Sequence, residues 1–200
     1  MTKRPVLQST LDTCLLPLAF IREILRRYNP FGHIERSNFA HRKWLVGIRK
    51  FAHVNDGLYI GSTPTIRGLR QLRNYGIKTI LNLRASLDYR DTAESLGFRY
   101  FAIPLNGKRP PADDQISKFL ELVEAPDNTP VFFHCNRAKN RTYMVLGLYR
   151  IAHDGWSADQ AIAEMNHFGW KKIPDQVVSF IRHLANGGLT NLRTNSTLTK

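Results

Sequence analysis

The sequence predicts an α/β fold with a mostly parallel central sheet flanked by helices. Three observations lead there. Short aliphatic runs alternate with amphipathic stretches from residue 56 onward, and glycine or proline marks almost every junction. Strand-like runs separated by helical ones call for crossover connections, hence parallel pairing. Two hundred residues with 42% hydrophobic and 22% charged residues can bury one core without disulfide staples.

Leu58-Tyr59-Ile60 reads as a first strand, stopped by Gly61-Ser62-Thr63-Pro64. Ile66, Leu69 and Leu72 fall at helical spacing, and Gly76 closes that helix. Ile77 to Leu83 is an aliphatic strand, Asp91 to Leu96 a short helix, and Phe98 to Ile103 a strand ended by Pro104. A loop from Leu105 to Ala112 precedes a helix carrying Ile116, Phe119, Leu120 and Val123, with Asp113 or Asp114 expected as its cap. Pro130 to Phe133 is a buried strand, and the chain re-enters a helix near Arg141 that runs to Ala152. Ser157 is expected to cap a helix bearing Ala161, Ile162 and Met165, and Pro174 to open a last one bearing Val177, Val178, Ile181 and Leu184.

Residues 1–50 differ from this pattern. Ile21, Ile24, Leu25 and Tyr28 line one face of a basic amphipathic helix that begins at Leu18 and stops at Asn29-Pro30-Phe31-Gly32. Packing against the main domain and docking on an anionic membrane surface both fit such a helix. The expected organisation is a basic helical N-terminal extension (1–50), one α/β domain (51–186) and a polar tail (187–200).

The chain carries 29 basic and 16 acidic residues, a formal charge of +13. The extension holds +7 of it, the domain +4 and the tail +2. Anionic partners are therefore expected: a phosphorylated substrate, an acidic membrane surface or nucleic acid. Nucleic acid is the least favoured, because no reader motif accompanies the charge. Two cysteines, Cys14 and Cys135, are too few for a disulfide framework and suit a reducing compartment. The apolar run Cys14 to Ile21 contains Pro17 and is followed by Arg22 and Glu23, unlike a secretory signal. A cytoplasmic location is expected, with peripheral membrane contact through the N-terminal helix as its extension.

Chemistry concentrates in His134-Cys135-Asn136-Arg137-Ala138-Lys139-Asn140-Arg141-Thr142, between an apolar strand and an apolar helix. Ligands of open α/β sheets bind beyond the carboxyl ends of strands. A loop here can turn the backbone N–H groups of Asn136, Arg137, Ala138, Lys139 and Asn140 inward and add the positive end of the next helix, a cradle suited to phosphate. Within it Cys135 would be a thiolate nucleophile. Arg141 can fold back and grip two phosphate oxygens. Thr142 can donate its hydroxyl to the sulfur, and His134 can order the loop from behind. By chance this combination arises roughly once in a thousand such sequences.

These residues resemble the signature H-C-x-x-G-x-x-R-[S/T] of the cysteine-dependent protein tyrosine phosphatases, in the compact dual-specificity-like, bacterial-type branch. His134, Cys135, Arg141 and Thr142 match it. Asp56 to Ser62, Gly76 to Arg84, and Gly155-Trp156-Ser157 leading into Ala161 and Met165 are similar to other parts of that family. The resemblance covers about residues 56–186. It implies a phosphatase-like fold, a cysteinyl-phosphate intermediate, a phosphate-binding Arg141, and no metal or cofactor. Two departures stand out. Ala138 replaces the loop glycine, at a cost of about 1 kcal/mol if that position needs positive φ. The stretch Pro104 to Arg109, where the family carries its aspartate acid, has no carboxylate. Asp113 and Asp114 lie a few residues on, so acid and helix cap are both open roles for them.

Arg137 and Lys139 would add two cations beside Arg141, with Lys108-Arg109 at the cleft rim, and a lysine at the position of Lys139 is similar to lipid-phosphate members. Expected substrates are therefore phosphotyrosine or dual-specificity protein sites, with phosphoinositides as the alternative. A pseudophosphatase that binds phosphate without turnover, and a rhodanese-like sulfur transferase, are the other readings of such a cysteine loop.

Overall fold

The computed structural model describes residues 38–189, and within them a six-stranded sheet lies between two layers of helices. The strands are β1 (His41–Arg42), β2 (Ala52–Asn55), β3 (Leu58–Ser62), β4 (Thr79–Asn82), β5 (Arg99–Ala102) and β6 (Val131–Cys135), in the spatial order β1-β2-β3-β6-β4-β5. The helices are α1 (Ile66–Asn74), α2 (Arg90–Ser95), α3 (Asp113–Glu124), α4 (Asn140–Ala152), α5 (Ala158–His167) and α6 (Asp175–His183). Strands β3, β6, β4 and β5 pair in parallel, whereas β1 and β2 extend the edge antiparallel.

Alternation along the strands sorts the core into two halves. Ile80, Tyr100 and Phe132 face one side with Leu69, Leu72, Ala93 and Phe98. Leu81 and Phe133, one residue on, face the other with Ile116, Phe119, Val145 and Ile181. Strands buried on both faces read as continuous apolar runs rather than as alternating ones. That is why Val131-Phe132-Phe133 shows no polar interruption before His134.

Local chemistry sets the helix ends. Thr65 Oγ1 accepts from Gly68 N at 3.1 Å, and Ser157 Oγ from Gln160 N at 3.3 Å, so the expected Ser157 cap is present. The cap expected at Asp113 or Asp114 is not. Ala112 occupies that position and both aspartates stand in the first turn, while the Gln115 side chain reaches back to accept from Ala112 N at 2.9 Å. There the carboxylates face the positive end of the helix instead. Ile66, assigned to an apolar helix face, is 58% exposed.

The amphipathic helix from Leu18 to Tyr28 and Cys14 lie outside the described residues, as does most of the polar tail. Residues 38–50, part of the predicted extension, add β1 to the sheet and send Phe39, Ala40 and Ile48 into the core. A buried ion pair holds them. Arg150 on α4 donates to Glu164 on α5 through Nε (3.1 Å) and Nη2 (2.9 Å), and to Asp154 through Nη1 (2.7 Å). The same groups reach the N-terminal segment: Ala40 N donates to Glu164 Oε1 at 2.7 Å, and Arg150 Nη2 to the Asn38 carbonyl at 3.1 Å. Trp156 covers the guanidinium at 4.3 Å from its ring centroid. No helix among the described residues is long and apolar enough to cross a membrane.

Glu164 is 1% exposed, so removing it strands the Arg150 charge in the core. Glu164→Ala is expected to cost about 3–5 kcal/mol in denaturant unfolding. A loss below 1 kcal/mol, on the order of a surface pair, would contradict the anchoring role.

Candidate active site

Strand β6 sits at the centre of the parallel sheet and ends on Cys135, level with Ser62 of β3, while His134 is level with Asn82 of β4. Residues 136–139 then turn into α4. The loop predicted from the sequence therefore emerges at the carboxyl end of the central strand, the end at which open α/β sheets bind ligands.

Two peptide units of this loop have their N–H groups aimed at the Cys135 sulfur, those of Arg137 and Lys139, and Thr142 at the start of α4 adds a third. A trans peptide points its carbonyl opposite to its N–H, so inward amides force outward carbonyls. The outward carbonyls find partners on the surrounding elements. Cys135 O accepts from Thr63 Oγ1 (3.2 Å), Asn136 O from Thr63 N (3.4 Å), Ala138 O from Lys50 Nζ (3.4 Å) and Lys139 O from Tyr143 N (2.8 Å).

Burial pushes the Cys135 thiol up, but the Thr142 hydroxyl and the N–H groups of Lys139, Thr142 and Arg137 outweigh it. The thiol is held below its ordinary value, which favours thiolate. Thr142 is fully buried, and its hydroxyl has no hydrogen-bond partner elsewhere among the described residues. Ala138 is also buried and has φ of 44°, so the position does require the left-handed backbone that a glycine would adopt freely. The cradle forms with alanine nonetheless.

Arg141 is half-buried, and its Nη1 donates to the Leu83 carbonyl at 3.3 Å, which leans the side chain toward the end of β4. Gly107 lies on its other side: a Cβ there would stand 3.7 Å from Arg141 Cγ and 3.6 Å from Asn140 Cβ. The loop that faces the cradle thus presents a glycine where an acid would be useful. Asp113 and Asp114 are exposed at the start of α3, after that loop. Gln115 Nε2 and Gln176 Nε2 pin the loop by donating to the Pro104 and Lys108 carbonyls, each at 2.8 Å. Asn136, Arg137 and Lys139 are exposed on the cradle, and Lys108 and Arg109 on the facing loop.

His134 is fully buried, and burial drives its pKa down to about 3, helped by the Arg84 and Arg141 cations and opposed by the Cys135 backbone. The ring is neutral at pH 7. Its Nε2 lies 2.5 Å from the Tyr89 hydroxyl, and the ring stacks on Phe132. Four residues of this surround escaped the sequence reading: Lys50, Thr63, Arg84 and Tyr89. Arg84 donates to Thr63 Oγ1 at 3.3 Å and follows β4, so its place at a strand's carboxyl end beside β6 was a usable signal. Lys50 reaches the loop across 88 residues of sequence with no local signal. Among the described residues, no group of three or more His, Cys, Asp or Glu is placed to hold a metal ion.

Known proteins with this pattern are similar across the same region. The family described as DSP-PTPase phosphatase fused to NAD+ kinase matches residues 50–182. The dual specificity protein phosphatase TpbA of Pseudomonas aeruginosa is 27% identical over 113 residues, which cover 56% of this chain and 51% of that protein. The inositol diphosphatase SIW14 of Saccharomyces cerevisiae is 27% identical over 143 residues, 68% of this chain and 50% of that protein. The chain therefore spans about half the length of the curated relatives it matches. The crystal structure of the core catalytic domain of SIW14 superposes with a TM-score of 0.64 at 22% identity, over 78% of this chain and 98% of that one, a likeness of fold.

Two outcomes follow from these environments. Thr142→Val, which keeps shape and removes the hydroxyl, is expected to raise the alkylation midpoint of Cys135; an unchanged midpoint would refute the hydroxyl's role. His134, ordinarily near 6.5, is depressed to about 3 in the fold, so below 6.5 the unfolded chain binds the extra proton. Its contribution to stability is complete above pH 6.5 and is lost as pH falls toward 3. His134→Asn is expected to flatten that part of the stability profile, measured by denaturant unfolding against pH.

Proposed function

The chain belongs to the family described as DSP-PTPase phosphatase fused to NAD+ kinase, within the cysteine-based phosphatase superfamily, and from that premise we propose that it hydrolyses phosphate monoesters through a cysteinyl-phosphate intermediate. The observation that carries this reading is a thiol lowered by Thr142 and three backbone amides at the start of a loop that ends on Arg141, whose Nη1 donates to the Leu83 carbonyl.

The Cys135 thiolate attacks phosphorus, an S–P bond forms and the ester P–O bond breaks. Arg141 and the inward amides of Arg137 and Lys139 bear the charge on the equatorial oxygens. The leaving oxygen departs as a phenolate or takes a proton from an acid, for which Asp113 and Asp114 are the candidates on the chain. Water then hydrolyses the S–P bond, releasing inorganic phosphate, and the Thr142 hydroxyl steadies the returning thiolate. Neutral His134 orders the loop through its Tyr89 contact and takes no proton in the reaction.

Exposed cations favour one refinement. Arg137 and Lys139 on the cradle, with Lys108 and Arg109 opposite, suit a substrate bearing several phosphates rather than one phosphotyrosine. The inositol diphosphatases among the relatives agree with this choice, whereas TpbA agrees with a protein substrate.

Steady turnover of an aryl phosphate is the expected result, lost in Cys135→Ser and reduced about 10²–10³-fold in Arg141→Ala. Wild-type protein that binds phosphate without turnover would overturn the hydrolase reading in favour of a binding module. Whichever of Asp113→Asn and Asp114→Asn removes the acid should slow an alkyl phosphate about 10²-fold and an aryl phosphate far less. The paired change Arg137→Ala, Lys139→Ala should lower kcat/KM for a multiply phosphorylated inositol much more than for the aryl ester; equal losses would return the choice to a protein substrate.

A further inference from the structure

Among the described residues, two that are not glycine have positive φ: Lys50 at 54° and Ala138 at 44°. They touch each other, Lys50 Nζ donating to the Ala138 carbonyl at 3.4 Å. Left-handed backbone at residues with side chains persists only where the surroundings over-determine it. For Lys50 those surroundings are plain. Ile48 and Phe51 are buried on either side of it, and the neighbouring Arg49 is fixed by Ser62, whose Oγ accepts from Arg49 N and whose N donates to Arg49 O, each at 2.9 Å. From this anchored backbone the side chain passes over the Tyr143 ring, 5.8 Å from its centroid, to reach the loop.

The peptide unit joining Ala138 to Lys139 is held from both sides. Its N–H aims inward at Cys135 and its carbonyl points outward at Lys50. Turning this unit over would set a carbonyl oxygen against the thiolate. Rotation of that plane needs only changes at Ala138 ψ and Lys139 φ, and Lys139 itself sits at an irregular φ of −141° and ψ of −113°. The adjoining inward unit, Asn136 to Arg137, is held the same way by the Thr63 backbone N–H at 3.4 Å. That second clamp belongs to the strand β3 exit, whereas the Lys50 clamp comes from the segment before β2.

We propose that Lys50 is a positioning residue, whose ammonium locks the 138–139 peptide with its N–H toward Cys135 and so stabilises a cradle built with alanine at its left-handed position. A glycine there reaches the same backbone without penalty, so the loop's dependence on Lys50 is tied to Ala138. The charged and titratable groups around the ammonium are Arg42 of β1, Arg49 beside it, Lys139 of the loop, Cys135 at the end of β6 and Tyr143 of α4. Burial and the Arg42, Lys139 and Arg49 cations lower the Lys50 pKa, and the Cys135 thiolate opposes them. This proposal takes from the proposed function only that Cys135 is the reactive thiol.

The test is the pH midpoint of iodoacetamide alkylation, read on the Cys135 peptide by mass spectrometry in folded protein. It needs no turnover, so its outcome is separable from that of the phosphatase assays. Lys50→Asn suits the left-handed backbone but is too short to reach the loop. It is expected to raise the midpoint by about one pH unit, through loss of a hydrogen bond to the thiolate. Lys50→Arg keeps charge and donor and should leave the midpoint in place. In an Ala138→Gly background, Lys50→Asn should move the midpoint by about half as much or less. An equal shift in both backgrounds would mean that Lys50 acts only as a distant charge, and no shift in either would mean that it does not act; each overturns the proposal. Lys50→Gly, free of the left-handed penalty, gives the same readings if Lys50→Asn does not fold.

Discussion

Turning backbone N–H groups toward one point obliges the same peptides to turn their carbonyls away from it, and the architecture around residues 135–142 follows from that obligation. A buried carbonyl without a partner is costly, so a cradle of inward amides must be ringed by donors. Thr63 supplies two, its hydroxyl and its N–H, and Lys50 supplies a third. The helix that follows takes over at Lys139, whose carbonyl accepts from Tyr143 N. The interior of inward amides thus has a matching exterior made of other elements. The lowered thiol at its centre is a product of both.

The fold brings those donors to the loop from both sides of β6. Parallel pairing of β6 with β3 and β4 sets Ser62, Asn82 and the chain beyond them level with His134 and Cys135. Thr63 then approaches from the β3 side and Leu83 and Arg84 from the β4 side. Lys50 comes from a segment that the strand pattern alone would leave outside the domain. That segment is tied down by Arg150 and Glu164, which sit on α4 and α5, and α4 is the helix the cradle leads into. One buried ion pair therefore links the position of the outer clamp to the helix behind the loop.

The alternation of strands and helices was legible because β3, β4 and β6 are largely apolar and buried, and breakers such as Pro64 after β3 and Pro104 after β5 close strands. Cys135, Arg141 and Thr142 were legible because the cradle is built from one continuous stretch, whose spacing carries its chemistry. Strands β1 and β2 were not. The first has two residues and the second is a mixed edge strand, and neither makes a periodic signal. The Asp113 and Asp114 cap was misread because a glutamine at the third helical position can satisfy the helix start without an aspartate at the cap. Lys50, Thr63 and Tyr89 act on the loop or the residues leading into it from 45 to 88 residues away in sequence, and such contacts leave no local trace.

That the loop is a closed oxyanion cradle around a reactive thiolate is tested most directly by tungstate protection of Cys135 against alkylation. On this proposal a tetrahedral oxyanion seated on the inward amides would cover the sulfur and be gripped by Arg141. Tungstate should slow alkylation of Cys135 to a saturating limit in the wild-type chain, and Arg141→Ala should abolish most of that protection. An alkylation rate that does not depend on tungstate, in folded wild-type protein, would contradict the account.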